Sequence, residues 1–365
     1  MLSSDLLKEA ERVMTICNAC RYCEGYCAVY PAMELRRTFA DKDLKYLANL
    51  CHNCRACYYA CQYAPPHEFD VNVARVFADL RLECYREFAR PALLAGMFRR
   101  NGLAVGILTA AALVTVFLLL GIFQDSPVIF AAHSGANAFY RVIPYPLFIL
   151  PFSVLVVCLS AVLLWSNISF WRKTGGKLGE LLDPRANLQA IGDALRLKYL
   201  DGGGHGCNYP DERFSMLRRY FHHLVFYGFI LCLASTTVAA AYHHFLQWPA
   251  PYPYLSWPVL LGTAGGLALL AGTAGLLILK KKMDPLPGAP RARGMDVGFL
   301  VLLFFTSFSG LLLLALRATP AMGILLAVHL AVVAALFVAM PYGKFVHALY
   351  RFVALVRNAR ERSRQ

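Results

Sequence analysis

CNACRYCEGYC at residues 17–27 returns as CHNCRACYYAC at residues 51–61. From Cys17 to Cys51, from Cys27 to Cys61 and from Pro31 to Pro65 the offset is 34 residues, so the chain opens on an internal duplication. Each copy spaces four cysteines by two, two and three residues. That is the spacing of the bacterial ferredoxin run, in which soft, negatively charged sulfurs surround a compact iron cube. Zinc sites more often use separated CxxC pairs, and a triple knuckle argues against them. The spacing therefore predicts two [4Fe-4S] clusters. In two-cluster ferredoxins the fourth cysteine of each run ligates the other cluster. Carried over, Cys17, Cys20 and Cys23 go with Cys61, and Cys51, Cys54 and Cys57 go with Cys27. The proline that usually follows the fourth cysteine is replaced by Ala28 and Gln62.

Beyond this front end the chain reads as membrane. Of its 365 residues 58% are hydrophobic and 16% charged, too apolar for an ordinary soluble fold. Six stretches, near 102–123, 145–171, 220–246, 254–279, 295–317 and 321–345, approach or exceed the ~20 residues that a spanning helix needs. There are 36 Lys and Arg against 22 Asp and Glu, a net +14. Such an excess suits nucleic acid or an anionic leaflet. Here the cations gather at the ends of apolar runs, as in Lys280-Lys281-Lys282 and Arg357 to Arg364, with no patch of interleaved cations and aromatics. Nucleic acid is not an expected partner.

Loops 124–144, 247–253 and 318–320 are almost free of Lys and Arg, so the positive-inside bias places both termini in the cytoplasm. MLSSDLLKEAERVMTI, residues 1–16, has no apolar h-region, and no signal peptide is expected. The expectation is a multi-pass protein of the bacterial cytoplasmic (inner) membrane. It is mainly α, with a cytoplasmic ferredoxin-like domain over 1–90 and a six-helix membrane domain over 91–365. Cytoplasmic thiols stay reduced, which favours ligands over disulfides. Cys84, Cys158, Cys207 and Cys232 lack the spacing and read as packing residues.

Histidines point to where electrons go next. Ionisable side chains inside a span are costly and usually functional, and imidazole is a common axial ligand of haem iron. His222-His223, His243-His244, His329 and His347 stand out. His329 and His347 are 18 residues apart, which on one continuous helix separates them by ~27 Å along a shared face. With the third span running outward and the sixth inward, His222-His223 share the cytoplasmic depth of His347, and His243-His244 the outer depth of His329. Two bis-histidine pairs would then hold two b-type haems. The competing reading is interfacial or packed histidine, and the active member of each doublet stays open.

CNACRYCEGYCAVYPAMELRR, CQYAPPHEFDVNVARV, HHLVFYGFILC and HLAVVAALFVAMPYGKFVHALYR resemble the tricarballylate utilisation protein B (TcuB/CitB) family, along essentially the whole chain. The last stretch also resembles the final haem-bearing helix of the nitrate-reductase gamma subunit, whose two histidines have the same gap. The resemblance implies two iron-sulfur clusters, a cytochrome b-like bundle with haem b, and a task. That task is to reoxidise the reduced FAD of a cytoplasmic tricarballylate dehydrogenase, which forms cis-aconitate, and to pass the electrons to membrane quinone. The gamma subunit's other two haem ligands lie closer together than the doublets here, which leaves one or two haems open.

Other features are weaker. YLDGGGHGCNYPDERFS, residues 199–215, has a glycine triplet but no dinucleotide fingerprint, and reads as a loop touching the cluster domain or the flavoprotein. No GxGxxG occurs, so any flavin belongs to a partner. Val73, Val76, Phe77 and Leu80 form one face of a helix near 71–90, a strut between cluster domain and membrane. The quinone site is not placed, although Tyr342, Lys344 and the Tyr242 neighbourhood offer donors beside apolar sequence. Two other function classes fit less well: a quinol-oxidising subunit feeding a cytoplasmic reductase, and a redox sensor or transporter, for which no repeat among the spans speaks.

Overall fold

The computed structural model describes residues 4–364. Within them the chain runs α1 (Ser4–Cys20), α2 (Val29–Glu34), α3 (Asp41–Leu50), α4 (Ala56–Tyr59), α5 (Val73–Phe88), α6 (Ala92–Met97), α7 (Asn101–Phe123), α8 (Ser126–Ile129), α9 (Ala138–Val142), α10 (Tyr145–Lys173), α11 (Leu178–Leu181) and α12 (Pro184–Leu195). A two-strand hairpin follows, β1 (Cys207–Asn208) antiparallel to β2 (Phe214–Ser215). The chain ends in α13 (Leu217–Phe245), α14 (Trp257–Lys281), α15 (Pro290–Leu316), α16 (Met322–Ala339) and α17 (Val346–Arg362).

Helices α7, α10, α13, α14, α15 and α16 are long and apolar enough to cross a membrane, as in a multi-pass membrane protein. Leu103, Ile107, Val114, Leu118 and Ile122 on α7 stay exposed, as do Leu150, Val154, Val157 and Leu164 on α10, the surface that lipid would cover. Glycines set the tightest helix pair. A Cβ added at Gly265 of α14 would lie 2.8 Å from the carbonyl oxygen of Gly228 on α13, and one at Gly272 2.8 Å from that of Phe221. Without a water-driven force between spans, such backbone approach is what holds them. α14 then packs on α15, α15 on α16, and α16 on α7.

The front of the chain forms a helical layer at one end of this bundle. Asn72 starts α5 by accepting the N–H of Arg75 at 3.0 Å, and the expected apolar face of α5 is buried. The core around Met14, Leu47 and Phe77 does not stop at residue 90. It continues through Phe170 and Trp171 at the end of α10, Ala190 of α12, and Tyr350, Val353 and Val356 of α17. Phe170 stacks on Tyr350 with centroids 4.8 Å apart, and Arg36 pairs with Glu361 at 2.5 Å. The loop near residues 202–215 packs as well: the N–H of Asn208 donates to the carbonyl of Cys54 at 3.0 Å.

One expectation fails. The sixth span does not run to residue 345, because α16 ends at Ala339 and α17 starts at Val346. Pro341 lacks the N–H that would continue the helical ladder, and the N–H of Gly343 turns back to Ala339 at 2.8 Å. His329 and His347 therefore sit on two helices and not on one face of a single rod.

Candidate iron-sulfur and haem sites

Cys17 and Cys20 occupy the last turn of α1, Cys23 and Cys27 flank the single turn at 24–26, and Cys61 follows α4. Cys17, Cys20, Cys23 and Cys61 line a cavity of about 210 Å³, joined by Cys57 and Tyr30. Cys27 lines a second, smaller cavity with Cys51, Cys54 and Cys57. The fourth cysteine of each run thus meets the other run's three. Among the described residues no three histidine, cysteine or carboxylate side chains converge as ligands of one ion. A cube of four irons needs sulfurs spread around it, so the arrangement fits a cluster better than a single zinc.

The backbone repeats with the sequence. Arg21 and Arg55, 34 positions apart, are both left-handed, with φ of 56° and 68°. Burial pushes the Cys17 thiol up to about 12 and the Cys23 thiol to about 11, with Cys61 the next cause for each. Cys27 and Cys57 are raised well above the ordinary value, chiefly by burial. Four thiolates cannot share such a space without a compensating cation, which iron would supply. Tyr30 and Cys57 line both cavities and stand where the two quartets adjoin. Asn53 adds an N–H to Cys51 Sγ at 3.3 Å.

Behind the second quartet stand two histidines. His222 on α13 and His347 on α17 have ring centroids 6.2 Å apart, inclined at 72°. An iron bonded to both at the ~2 Å of metal-imidazole bonds separates the centroids by roughly 6 Å. His347 Nδ1 lies 2.5 Å from the carbonyl of Lys344. A proton held there leaves Nε2 as the free lone pair. Burial, then Arg351 and Lys344, keep His347 well below its usual pKa, the neutral form a metal takes. His222 Nδ1 is buried without a partner. The residues present fit a bis-histidine haem at this depth.

The other four candidates separate. His223 faces Tyr227, centroids 5.8 Å apart. His243 stacks on Tyr145 at 4.2 Å, and His244 Nε2 lies 3.1 Å from the Tyr145 hydroxyl. His329 lies against α15, with Nδ1 3.0 Å from Ser309 Oγ and its ring over Gly310, where a Cβ would come within 2.9 Å of Cε1. Among the described residues it makes no ring contact with another histidine, so the expected outer pair is not formed.

Sequence reasoning missed the arginines. Arg351, one turn after His347, donates to the carbonyl of Cys51 at 2.9 Å. Arg218, one turn before His222, donates to the carbonyls of Asn53 and His52. Arg81 adds bonds to Ala48 and Cys51. An arginine four residues from each histidine was the available signal.

A family model described as the Citrate utilization protein B Fer4-like domain matches residues 10–87, and one described as Citrate utilization protein B matches residues 96–365. The chain belongs to the citrate utilization protein B family. Citrate utilization protein B of Escherichia coli is 48% identical over 360 residues, covering 98% of this chain and 93% of that protein. No solved structure matches. The family is the one that the cysteine and histidine stretches resemble, and its Fer4-like domain carries both cysteine runs, the mark of an iron-sulfur protein.

Proposed function

We propose that the protein is a membrane electron-transfer subunit that reoxidises the reduced FAD of a cytoplasmic tricarballylate-type dehydrogenase and delivers the electrons to quinone. When bound, two [4Fe-4S] clusters and one haem b supply the one-electron carriers between these two-electron partners. The chain's own residues do the rest. Two crossed cysteine quartets hold the clusters, and His222 and His347 hold the haem. Arg81, Arg218 and Arg351 fix the Cys51–Asn53 loop against that histidine pair. The flavin stays with the partner, since the sequence has no dinucleotide fingerprint, and the first quartet offers the entry side, beside the 71% exposed ring of Tyr22.

The observation that carries this reading is the His222–His347 pair one helical turn from arginines that hold a cysteine-ligand loop. Protein purified anaerobically should contain about eight cluster irons and one haem per chain, by iron, sulfide and haem assays with a reduced-minus-oxidised spectrum. Membranes containing it should reoxidise a reduced FAD dehydrogenase and reduce added quinone, and Cys54→Ser should stop both. Stoichiometric zinc, or quinol reducing the clusters while no flavoprotein can, would remove the proposal.

A further inference from the structure

Between α5, the start of α13, the end of α14, the start of α15 and the 344–351 segment lies an open cleft of about 180 Å³. Its walls combine two chemistries. Val225, Leu276, Phe299 and Leu300 make it apolar on the bundle side. Arg81, Arg218, Arg351, Lys280 and Lys344 line it as cations, with Arg55 and Arg293 beside them, and the sole carboxylate among its described lining residues is Asp296.

Inside the cleft the cations outnumber the carboxylate, and of them Arg218 and Arg351 also stand beside the Cys51 and Cys54 sulfurs, whose cluster would offset part of their charge. Lys280 and Lys344 share Asp296, at 2.6 and 2.8 Å. Arg81, Arg218 and Arg351 bond to backbone carbonyls, which satisfy hydrogen bonds and cancel no charge. Arg351 Nε is buried with no partner at all. Burial, with Arg81 among the causes, brings the Arg351 guanidinium down to about 10, so it remains cationic at neutral pH. Clustered cations withdrawn from water are costly unless an anion joins them. An apolar wall beside them calls for an anion carried on a large apolar body. His222 and His347 line the same cleft.

We infer that this cleft is a binding site for paired carboxylates, and that the carboxylates are the two propionates of the porphyrin held by His222 and His347, met by Lys280, Lys344 and the free edge of Arg351. The inference rests on the haem reading proposed above and goes beyond it, since it assigns the polar anchors and the orientation of the macrocycle. A free polycarboxylate, such as citrate, has the same chemistry and is the alternative source.

The test uses the full chain in detergent, with clusters intact and haem removed, titrated with haem and with haem dimethyl ester, which lacks the acidic groups. The free acid should bind at least about tenfold more tightly than the ester, the scale of one or two charge-assisted hydrogen bonds. Lys344→Gln leaves Asp296 paired with Lys280, so the fold is kept; unchanged cluster iron and circular dichroism verify this. In that variant the free acid should weaken severalfold and the ester should not change. Equal affinity of acid and ester in the unaltered chain overturns the inference while leaving the haem reading standing. If neither porphyrin binds, the haem reading itself has failed. Citrate then becomes the probe: saturable binding that Lys344→Gln weakens preserves the carboxylate site with a free ligand, and no citrate binding overturns it.

Discussion

Arg351 Nη2 donates to the carbonyl oxygen of Cys51 at 2.9 Å, so the helix that presents His347 also grips a cysteine-ligand loop one turn away. α13 does the same with His222 and Arg218. The histidine pair and the second quartet are thereby joined through the Cys51–Asn53 carbonyls. Two guanidinium charges also stand beside that quartet, and positive charge favours its reduced, more negative state.

Arg351→Gln should therefore lower the reduction potential of the second cluster and leave the first unchanged, in a redox titration followed by electron paramagnetic resonance. Arg351→Lys keeps the charge and should recover most of the potential. A shift of both clusters together, or of neither, would contradict the assignment.

The crossed quartets make a paired prediction. Cys61→Ser should disturb the cluster held by Cys17, Cys20 and Cys23, while Cys27→Ser should disturb the one held by Cys51, Cys54 and Cys57. Each variant should lose up to about four irons. Swapped effects would mean that each run binds its own cluster.

His222→Ala and His347→Ala should each abolish bis-histidine haem absorbance and spare the cluster signals. His223→Ala, His243→Ala, His244→Ala and His329→Ala should retain the haem. Haem lost from the His329 variant with its clusters intact would restore the outer site that the structure does not assemble.

The gathering of the cysteines into two groups was legible because a pattern of local gaps survives any tertiary arrangement. The six spans were legible because lipid imposes length and apolarity on each helix separately. What failed was the geometry after residue 339. Pro341 and Gly343 stop the helix, so the 18-residue gap between His329 and His347 no longer reports a common face. The arginine clamps and the Lys280–Asp296–Lys344 group were hidden for another reason. Their partners lie far away in the sequence, and cations at span ends are explained equally well by membrane topology.

Thiol burial predicts how pH acts on the cluster domain. Cys17 and Cys54 have folded-state values of about 12 against an ordinary 9.0, raised chiefly by burial. With the folded value raised, this contribution to stability is present below pH 9 and is lost as pH rises toward 12. Chelator-treated protein should melt at falling temperature from about pH 9 upward, more steeply than protein with clusters bound, whose thiolates no longer titrate. Parallel slopes in the two forms would show that these cysteines are not the ligands.

The last prediction concerns what sets His222 in place. α13 is held to α14 by backbone contact at Gly228, Gly265 and Gly272, and a Cβ at Gly265 would come 2.8 Å from the carbonyl oxygen of Gly228 and 2.9 Å from the N of Cys232. Backbone cannot yield as a flexible side chain does, so Gly265→Leu must push the two helices apart, at a cost of about 1–3 kcal/mol or more. His222 lies six residues before Gly228 on the same helix, so the displacement carries it away from His347. Haem occupancy should fall, and the Cys17 quartet, whose cavity has no α14 residue among its described lining, should keep its iron. Gly262→Ala is the graded control: there the close neighbour is the Ser235 hydroxyl at 2.9 Å, a side chain that can rotate. Haem retained in full by Gly265→Leu would show that the α13–α14 contact does not position the imidazole.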